Sequence, residues 1–228
     1  MLEYTGFYAK KVNSLKMLNQ ARSLLYHYYV EVCGWKIYKD NPSGIRIEKN
    51  KDGFILTDDY DKESIWFLLY LKQLPIGCIR ICGSDPKNIL EIEEYENAQK
   101  RLKYIFNQRK QLNLIEFNRE AILPQYVCNE SLLSLLEAPI IYCVQKKCSI
   151  LTSCVFREWY IIYTMLGFER LRESQFKYHD TDPNYVDMFF AKNSSLSKIV
   201  SNIQLLLNSA ANIQIQEPYL DNIKYSVL

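Results

Sequence analysis

A carboxylate and a guanidinium, those of Glu116 and Arg119, lie in the middle of the otherwise apolar stretch Leu114–Ile122. The stretch has the composition of a β-strand, in which side chains alternate between two faces, so residues three apart point to opposite sides. A β-bulge adds one residue and would bring both groups to one face, and bulges are frequent beside active sites. The sequence therefore predicts either a bulged catalytic strand with Glu116 as general base, or a surface ion pair on an edge strand.

Further charged residues lie inside or next to apolar segments upstream of this stretch. Arg80 stands between Ile79 and Ile81, and it must be paired there, because an unpaired buried charge is very costly. Asp58 and Asp61 precede the apolar segment 64–71 and are candidate partners. The same Asp-Asp-Tyr-Asp run is also typical of a solvated turn, which is the alternative interpretation.

In chain order these groups belong to a longer pattern: Arg-x-x-x-aromatic, Gly-Trp, Asp-x-x-Asp, Gly-x-x-Arg and Glu-x-x-Arg. The order resembles that of the acyl-homoserine-lactone (autoinducer) synthases and their relatives, the N-acyl amino acid synthases of the GNAT superfamily. The resemblance covers about residues 15–192. The five motifs in this order are more specific to the family than any one of them alone. The matching residues are Arg22, Tyr26, Trp35, Asp58, Asp61, Arg80, Glu116 and Arg119.

The resemblance implies an α/β sandwich with a GNAT-like mixed, splayed β-sheet flanked by helices. It implies a single acyltransferase domain over residues 1–228, with its core at about 15–192 and a C-terminal helix and tail at 193–228. The expected catalytic residues are Glu116, Arg80 and Arg119. The residues expected to bind substrate are Arg22, Tyr26, Trp35, Asp58, Asp61 and Trp66.

The acyl donor is expected to be a long-chain thioester on acyl carrier protein or on CoA, with no tightly bound cofactor. GNAT enzymes that use acetyl-CoA carry a glycine-rich turn whose backbone N–H groups bind the pyrophosphate at a helix N-terminus. Residues 125–130 lack glycine and include Glu130, which would repel a phosphate. The apolar residues 65–70 and Leu151 could line an acyl channel, or could be an ordinary core.

The amine that receives the acyl group is left open by the sequence. An amino acid would have its carboxylate held by one of the arginines in a bidentate pair, whereas S-adenosylmethionine would lactonise after acylation. The stretch 85–111 departs from compact autoinducer synthases and favours an N-acyl amino acid synthase. An acetyl-CoA-dependent GNAT enzyme and a non-catalytic acyl-binding module are the other interpretations.

Composition and charge argue against several classes of protein. The net charge of +2 over 228 residues argues against general binding to nucleic acid. No apolar run reaches the roughly 18 residues of a membrane span, and the first residues lack a secretory pattern, so a cytoplasmic protein is expected. Seven scattered cysteines indicate reduced thiols, and two histidines without a Cys-x-x-Cys make a metal site unlikely.

Hydrophobic periodicity and turn residues predict helices alternating with strands. We expect a polar loop at 36–53, and a helix from about 129 that begins at Asn129 or Ser131 and is disturbed by Pro139. The expected helices otherwise lie at 12–32, at 86–111 (one charged helix or a pair), at Arg157–Leu166 and at 194–209. The expected strands lie at 64–71, 76–81, Leu114–Ile122, 148–155, 176–179 and Asp187–Ala191.

Overall fold

The computed structural model of the chain describes residues 6–83, 89–182 and 184–210. Within them, seven strands form one sheet in the order β1-β4-β5-β6-β7-β9-β8, and two more form a separate hairpin. The strands are β1 (Phe7–Lys11), β2 (Arg46–Asn50), β3 (Gly53–Thr57), β4 (Ile65–Leu71), β5 (Leu74–Cys82), β6 (Leu114–Ile122), β7 (Ser149–Cys154), β8 (Glu169–Arg170) and β9 (Asp187–Ala191).

Six α-helices accompany the sheet in the described ranges. They are α1 (Leu15–Leu25), α2 (Glu96–Phe106), α3 (Arg109–Leu112), α4 (Asn129–Lys146), α5 (Arg157–Leu166) and α6 (Asn193–Ala210). A π-helix at Tyr26–Val32 continues α1, and short 3-10 turns lie at Glu91–Glu94 and Pro124–Tyr126. No helix among the described residues has both the length and the apolar character that crossing a membrane requires.

The sheet is mixed, because β6 and β7 run parallel while the other neighbouring strands run antiparallel. The parallel pair is short. Its paired positions run from Leu114 opposite Ser149 to Phe117 opposite Thr152, and β6 continues five residues beyond that point without β7 as partner. The two strands therefore separate halfway along β6, which confirms the expected mixed, splayed sheet flanked by helices.

The expected bulge in β6 is present. Arg80 pairs with Asn118 and Cys78 with Ala121, so two residues of β6 lie opposite one of β5. Arg119 is at the bulge with φ of 57°, a left-handed conformation that is uncommon for a residue with a side chain. The extra residue resets the alternation of β6, and Asn118 and Arg119 both reach the same buried carboxylates.

The two faces of the sheet carry different cores. Helices α4, α5 and α6 cover one face with an apolar core that includes Phe117, Ile150 and Tyr163. Helix α1 and the π-helix cover the other face near Trp66, and the segment from Leu90 into α2 covers it near Leu151. The one charged side chain of β5, that of Arg80, lies on this second face, between the two groups of helices.

Four local expectations are corrected. Part of the expected loop 36–53 is the hairpin β2–β3; β2 is nearly all exposed, so it lacks the apolar alternation that marks a strand. The expected helix 12–32 changes to π-helical geometry after Leu25. The cap of α4 is Cys128, whose sulfur accepts from the Ser131 N–H at 3.4 Å. The expected strand 176–179 is a single bridge, Phe176 to Val186.

The close approach of β5 and β6 beside the bulge can be tested at Gly77. A Cβ placed there would lie 2.6 Å from the backbone carbonyl oxygen of Ala121, which cannot move aside like a flexible side chain. We expect Gly77→Ala to lower the free energy of unfolding by about 1–3 kcal/mol in urea titrations. Leu74→Ala, on the same strand and 51% exposed, should change it by less than about 0.5 kcal/mol. Equal stabilities of the two variants would contradict the close approach.

Candidate active site

The guanidinium of Arg80 is completely buried and is surrounded by carboxylates. Its Nη1 donates to both oxygens of Asp58 at 2.6 and 2.7 Å and to Asp61 at 2.8 Å. Its Nη2 donates to Glu91, and its Nε donates to the amide oxygen of Asn118 at 2.8 Å. The side chain of Arg80 points away from the core under α4, α5 and α6. Its neighbours in β5, Ile79 and Ile81, point into that core, and successive residues of a strand point to opposite faces.

Two more arginines complete the arrangement. Arg119, placed by the bulge, donates to Asp58 at 2.7 Å and to Glu91. Arg22 reaches from α1 to Asp61 at 2.9 Å. We call the seven residues together the ion-pair cluster: Arg22, Asp58, Asp61, Arg80, Glu91, Asn118 and Arg119.

The turn between β3 and β4 orients the two aspartates. The Asp58 carboxylate accepts from the backbone N–H of Tyr60 at 3.0 Å, and the Asp61 carboxylate accepts from the N–H of Asp58 at 3.4 Å. Such local side-chain-to-backbone bonds are the reason that Asp-rich runs favour turns. Asp58 and Asp61 are nonetheless buried, at 5% and 4% exposure, so these two acids are shielded from solvent although the turn lies at the surface.

The charges of the ion-pair cluster balance, with three guanidinium groups facing the three carboxylates of Asp58, Asp61 and Glu91. Burial opposes ionisation of Asp58, but Arg80 and Arg119 outweigh it and hold the pKa of this carboxyl well below its usual range. Every arginine of the ion-pair cluster therefore already has a carboxylate partner.

Glu116 lies beside the ion-pair cluster but differs from its acids. Its carboxylate is 2% exposed and accepts from the backbone N–H of Ile92 at 3.1 Å. Burial, reinforced by the charge of Glu91, raises the pKa of Glu116 to about 8. It is thus a proton-exchanging group with a pKa near neutrality, as general acid–base chemistry requires.

A second buried acid of β6, Glu120, points toward the α5 side of the sheet. It accepts from Tyr163 at 2.8 Å and from Thr152 at 2.9 Å, at the place where β6 and β7 separate. Burial raises the pKa of this carboxyl as well. The backbone carbonyl of Glu120 accepts from the hydroxyl of Tyr29 at 3.0 Å, which fixes the π-helix against the bulge.

An open cavity of about 360 Å³ lies near the ion-pair cluster, although no residue of the cluster lines it; its lining includes Glu94 and Tyr95, which follow Glu91 in the chain. Three segments line it: the loop from Trp35 to Ile45, the start of α2 at residues 94–97, and residues 178–182. The rings of Tyr95 and Tyr178 meet edge to face in its wall, with centroids 4.7 Å apart. Tyr178 lines the cavity, and burial, followed by the charge of Glu116, raises its pKa well above the usual range.

The charged residues expected at the site lie together, whereas the expected aromatic residues lie around them. Arg22, Asp58, Asp61, Arg80 and Arg119 meet in the ion-pair cluster, with Glu116 beside it.

The three expected aromatic residues lie around this centre. Trp66 lies under Arg80, with 5.4 Å from the guanidinium carbon to the ring centre. Trp35 lines the cavity and packs on Tyr29. Tyr26 packs on Phe54 of the hairpin and makes no hydrogen bond to the ion-pair cluster among the described residues.

Sequence reasoning missed three polar groups of this region: Glu91, Asn118 and Glu120. Glu91 was hidden in the charged stretch 85–111, although its neighbours Leu90 and Ile92 are apolar and fully buried. That local pattern, an acid between two large aliphatic residues, is the signal that could have revealed it. Asn118 and Glu120 flank the bulge residue, and only the register of β6 decides which way they point.

Nothing in the described residues forms a group of three metal-binding side chains. At the segment where a glycine-rich phosphate turn was sought, Pro124–Tyr126 is a 3-10 turn, and Cys128 and Ser131 cap α4 reciprocally. Because these caps already occupy N–H groups at the start of α4, the helix N-terminus is not arranged as an open phosphate cradle.

No family model matches the chain, and no curated protein matches it in sequence. Solved structures do match. FeeM, an N-acyl amino acid synthase from uncultured soil microbes, is 14% identical with a TM-score of 0.59, over 87% of this chain and 97% of FeeM. The acyl-homoserine-lactone synthase LasI is 14% identical with a TM-score of 0.54, over 85% and 93%.

A third match is the CoA-dependent acyl-homoserine lactone synthase BjaI, solved with SAM and isopentyl-CoA. It is 12% identical with a TM-score of 0.55, over 87% of this chain and 90% of BjaI. At these identities the likeness establishes the fold. The chain therefore has the GNAT-like fold of the N-acyl amino acid and acyl-homoserine lactone synthases, as the sequence motifs predicted.

The ion-pair cluster can be tested by removing its central cation. Arg80→Ala leaves Asp58, Asp61 and Glu91 with uncompensated buried charge, so we expect the free energy of unfolding to fall by about 3–5 kcal/mol. Arg46→Ala removes a guanidinium that pairs with Glu48 and Asp59 at 49% side-chain exposure and should cost less than about 1 kcal/mol. Chemical denaturation of both variants measures the difference, and similar small losses would contradict the buried pairing.

The pKa of Glu116 predicts a dependence of stability on pH. The folded state holds a proton on Glu116 between its ordinary pKa of 4.5 and about 8, where the unfolded state does not. Stability therefore falls as the pH rises through this window, by at most about 1.4 kcal/mol per pH unit from this group. Glu116→Gln removes this contribution, so the variant should lose less stability than the wild type between pH 6 and 8.

Urea titrations at several pH values measure this slope. Glu169→Gln replaces an exposed carboxylate on the edge strand β8 and serves as the control, with the slope of the wild type. A Glu116→Gln variant with an unchanged slope would mean that Glu116 is ionised in the folded protein at neutral pH.

Proposed function

We propose that this protein is an N-acyltransferase that moves a long-chain acyl group from a thioester, on acyl carrier protein or CoA, to the primary amine of an amino acid or a compound derived from one. The observation that carries the proposal is the position of Glu116, a carboxylate 2% exposed on the bulged strand, where burial raises its pKa to about 8. The shared fold with three acyl-transferring synthases supports it by analogy.

The chemical step requires a deprotonated amine, because an ammonium ion has no lone pair to attack a carbonyl carbon. Glu116 takes the proton, through a water molecule, and is ionised often enough to do so near its pKa of about 8. The attacking nitrogen forms the amide bond, the carbon–sulfur bond breaks, and the thiolate leaves with a proton. The ion-pair cluster keeps Glu116 and the bulge in place.

The oxyanion of the tetrahedral intermediate needs a hydrogen-bond donor, and the bulged strand is the proposed source. The sequence suggested a free N–H near residues 121–123. Leu123 is excluded, because its N–H donates to the carbonyl of Ile76 at 2.9 Å. The N–H of Glu120 faces its own carboxylate. Alternate N–H groups of a strand point to the same side, so the N–H of Ala121, which pairs with Cys78, also faces β5. Ile122 is therefore the candidate donor of that segment.

The splay between β6 and β7 is the proposed entrance for the acyl thioester. The splay opens between the core under α5 and the aromatic residues of the π-helix. Phe156 packs against both of these groups. The capped start of α4 supports a donor whose binding does not depend on a phosphate cradle at this helix. The aliphatic residues of β4 and β7 would supply an apolar lining for a long chain that enters at the splay.

The role of Glu116 predicts the kinetics of purified protein. With a long-chain acyl thioester and a primary amine, we expect the wild-type rate to rise with pH and level off above about 8. Glu116→Gln should lower kcat by about 10²-fold or more and remove this pH dependence. Glu120→Gln changes the same group on the same strand toward the α5 side and should have a much smaller effect.

Three results would contradict the proposal. A folded Glu116→Gln variant with full activity would remove Glu116 as the base. Turnover of acetyl-CoA as efficient as that of any long-chain thioester would make the protein an acetyl-CoA-dependent GNAT enzyme. Lipid binding without turnover of any thioester would make it a non-catalytic acyl-binding module.

A further inference from the structure

The cavity near the ion-pair cluster has a strongly acidic lining. Its basic lining groups, among the described residues, are the exposed Lys36 at the rim and the imidazole of His179. The lining carboxylates are those of Asp40, Glu94, Glu96, Asp180 and Asp182.

Two of these carboxylates are half-buried and come from different walls. Glu94, before α2, accepts from the hydroxyl of Tyr60 at 2.6 Å. Asp182 accepts from the backbone N–H of His179 at 2.8 Å and from the hydroxyl of Tyr38 at 3.5 Å. All these donors are neutral, and within the described ranges neither carboxylate forms an ion pair with a lysine or arginine. A cation entering the cavity would supply the missing positive charge.

The remaining wall is aromatic. Trp35, Tyr38, Tyr95 and Tyr178 line the cavity, and Tyr38 is held in place by stacking on His179 at 3.8 Å between ring centres. Aromatic faces attract cations and also cover aliphatic carbon. Carboxylates and aromatic rings together therefore favour an organic cation with an apolar body.

The same cavity is unfavourable for a carboxylate. The arginines that the sequence suggested as partners for an amino acid's carboxylate, Arg22, Arg80 and Arg119, are each bonded to carboxylates of the protein. A substrate carboxylate would have to displace one of these buried partners or face Glu94 and Asp182 directly. Either course is costly, because it leaves a negative charge without a partner.

Resting on the proposed acyl transfer, we propose that the acceptor is a primary amine with a second positive charge and no free carboxylate, of the diamine or polyamine class, bound between Glu94 and Asp182. Such amines are chemically decarboxylated basic amino acids, so a decarboxylation is the class of reaction that would supply them. One nitrogen is acylated and the other stays protonated among the carboxylates and aromatic rings.

Three amines with the same number of carbons in the chain test the proposal: putrescine, butylamine and γ-aminobutyrate. Calorimetry at low salt should give a Kd for putrescine at least about tenfold lower than for butylamine, the scale of one hydrogen bond to a charged group. The Kd for γ-aminobutyrate should be the highest of the three. Acyl transfer from a long-chain thioester should follow the same order in kcat/KM.

Substitutions at Glu94 and Asp182 test whether these two carboxylates cause the preference for putrescine over butylamine. Glu94→Gln and Asp182→Asn keep acceptors for Tyr60 and for the His179 N–H but remove the charges, so each should reduce the preference for putrescine over butylamine about tenfold. Glu169→Gln is the matched control: it removes an exposed carboxylate on β8, which does not line the cavity. It should leave the preference nearly unchanged.

The outcomes separate this inference from the proposed function. Efficient acyl transfer with γ-aminobutyrate preferred over putrescine would overturn the inference and leave the acyltransferase intact. Selective putrescine binding that depends on Glu94 and Asp182, without acyl transfer, would support the cation site and contradict the transferase. Equal binding of all three amines, or selectivity unaffected by both variants, would also overturn the inference.

Discussion

The central constraint on this structure is the fully buried guanidinium of Arg80. A charge at 0% exposure is tolerated only where carboxylates surround it with good geometry. Asp58 and Asp61 come from a turn, Glu91 from a 3-10 segment and Asn118 from the neighbouring strand, so one side chain of β5 fixes three separate parts of the chain. The bulge at Arg119 belongs to the same constraint, because it adds the second guanidinium that Asp58 and Glu91 share.

Charge balance within the ion-pair cluster has consequences for chemistry nearby. Because its arginines and carboxylates neutralise one another, they hold structure rather than offering a free charge to a ligand. The acid left outside this balance is Glu116, and burial next to Glu91 gives it a pKa of about 8. The proposed recognition of a substrate then falls to the nearby cavity, whose lining combines carboxylates with aromatic rings.

Much of this arrangement could be predicted from the sequence, and the failures have physical reasons. The Glu-x-x-Arg strand and the buried Arg80 were recognisable because a charge inside an apolar strand demands partners. Glu91 was not, since its stretch is charged overall and only the two flanking aliphatic residues mark it as buried. The strand Arg46–Asn50 was read as loop because nearly all its side chains are exposed, and periodicity reports burial rather than hydrogen bonding.

The proposed acyl transfer is tested most directly by the stoichiometry of a single turnover. Purified protein is mixed with a limiting amount of a long-chain acyl thioester and an excess of a primary amine. The released thiol is titrated while mass spectrometry quantifies the amide. We expect one N-acyl amide for each thiol released, and only a trace of free fatty acid. Thiol release matched by fatty acid instead of amide, or no thiol release with any long-chain thioester and amine, would contradict acyl transfer at this site.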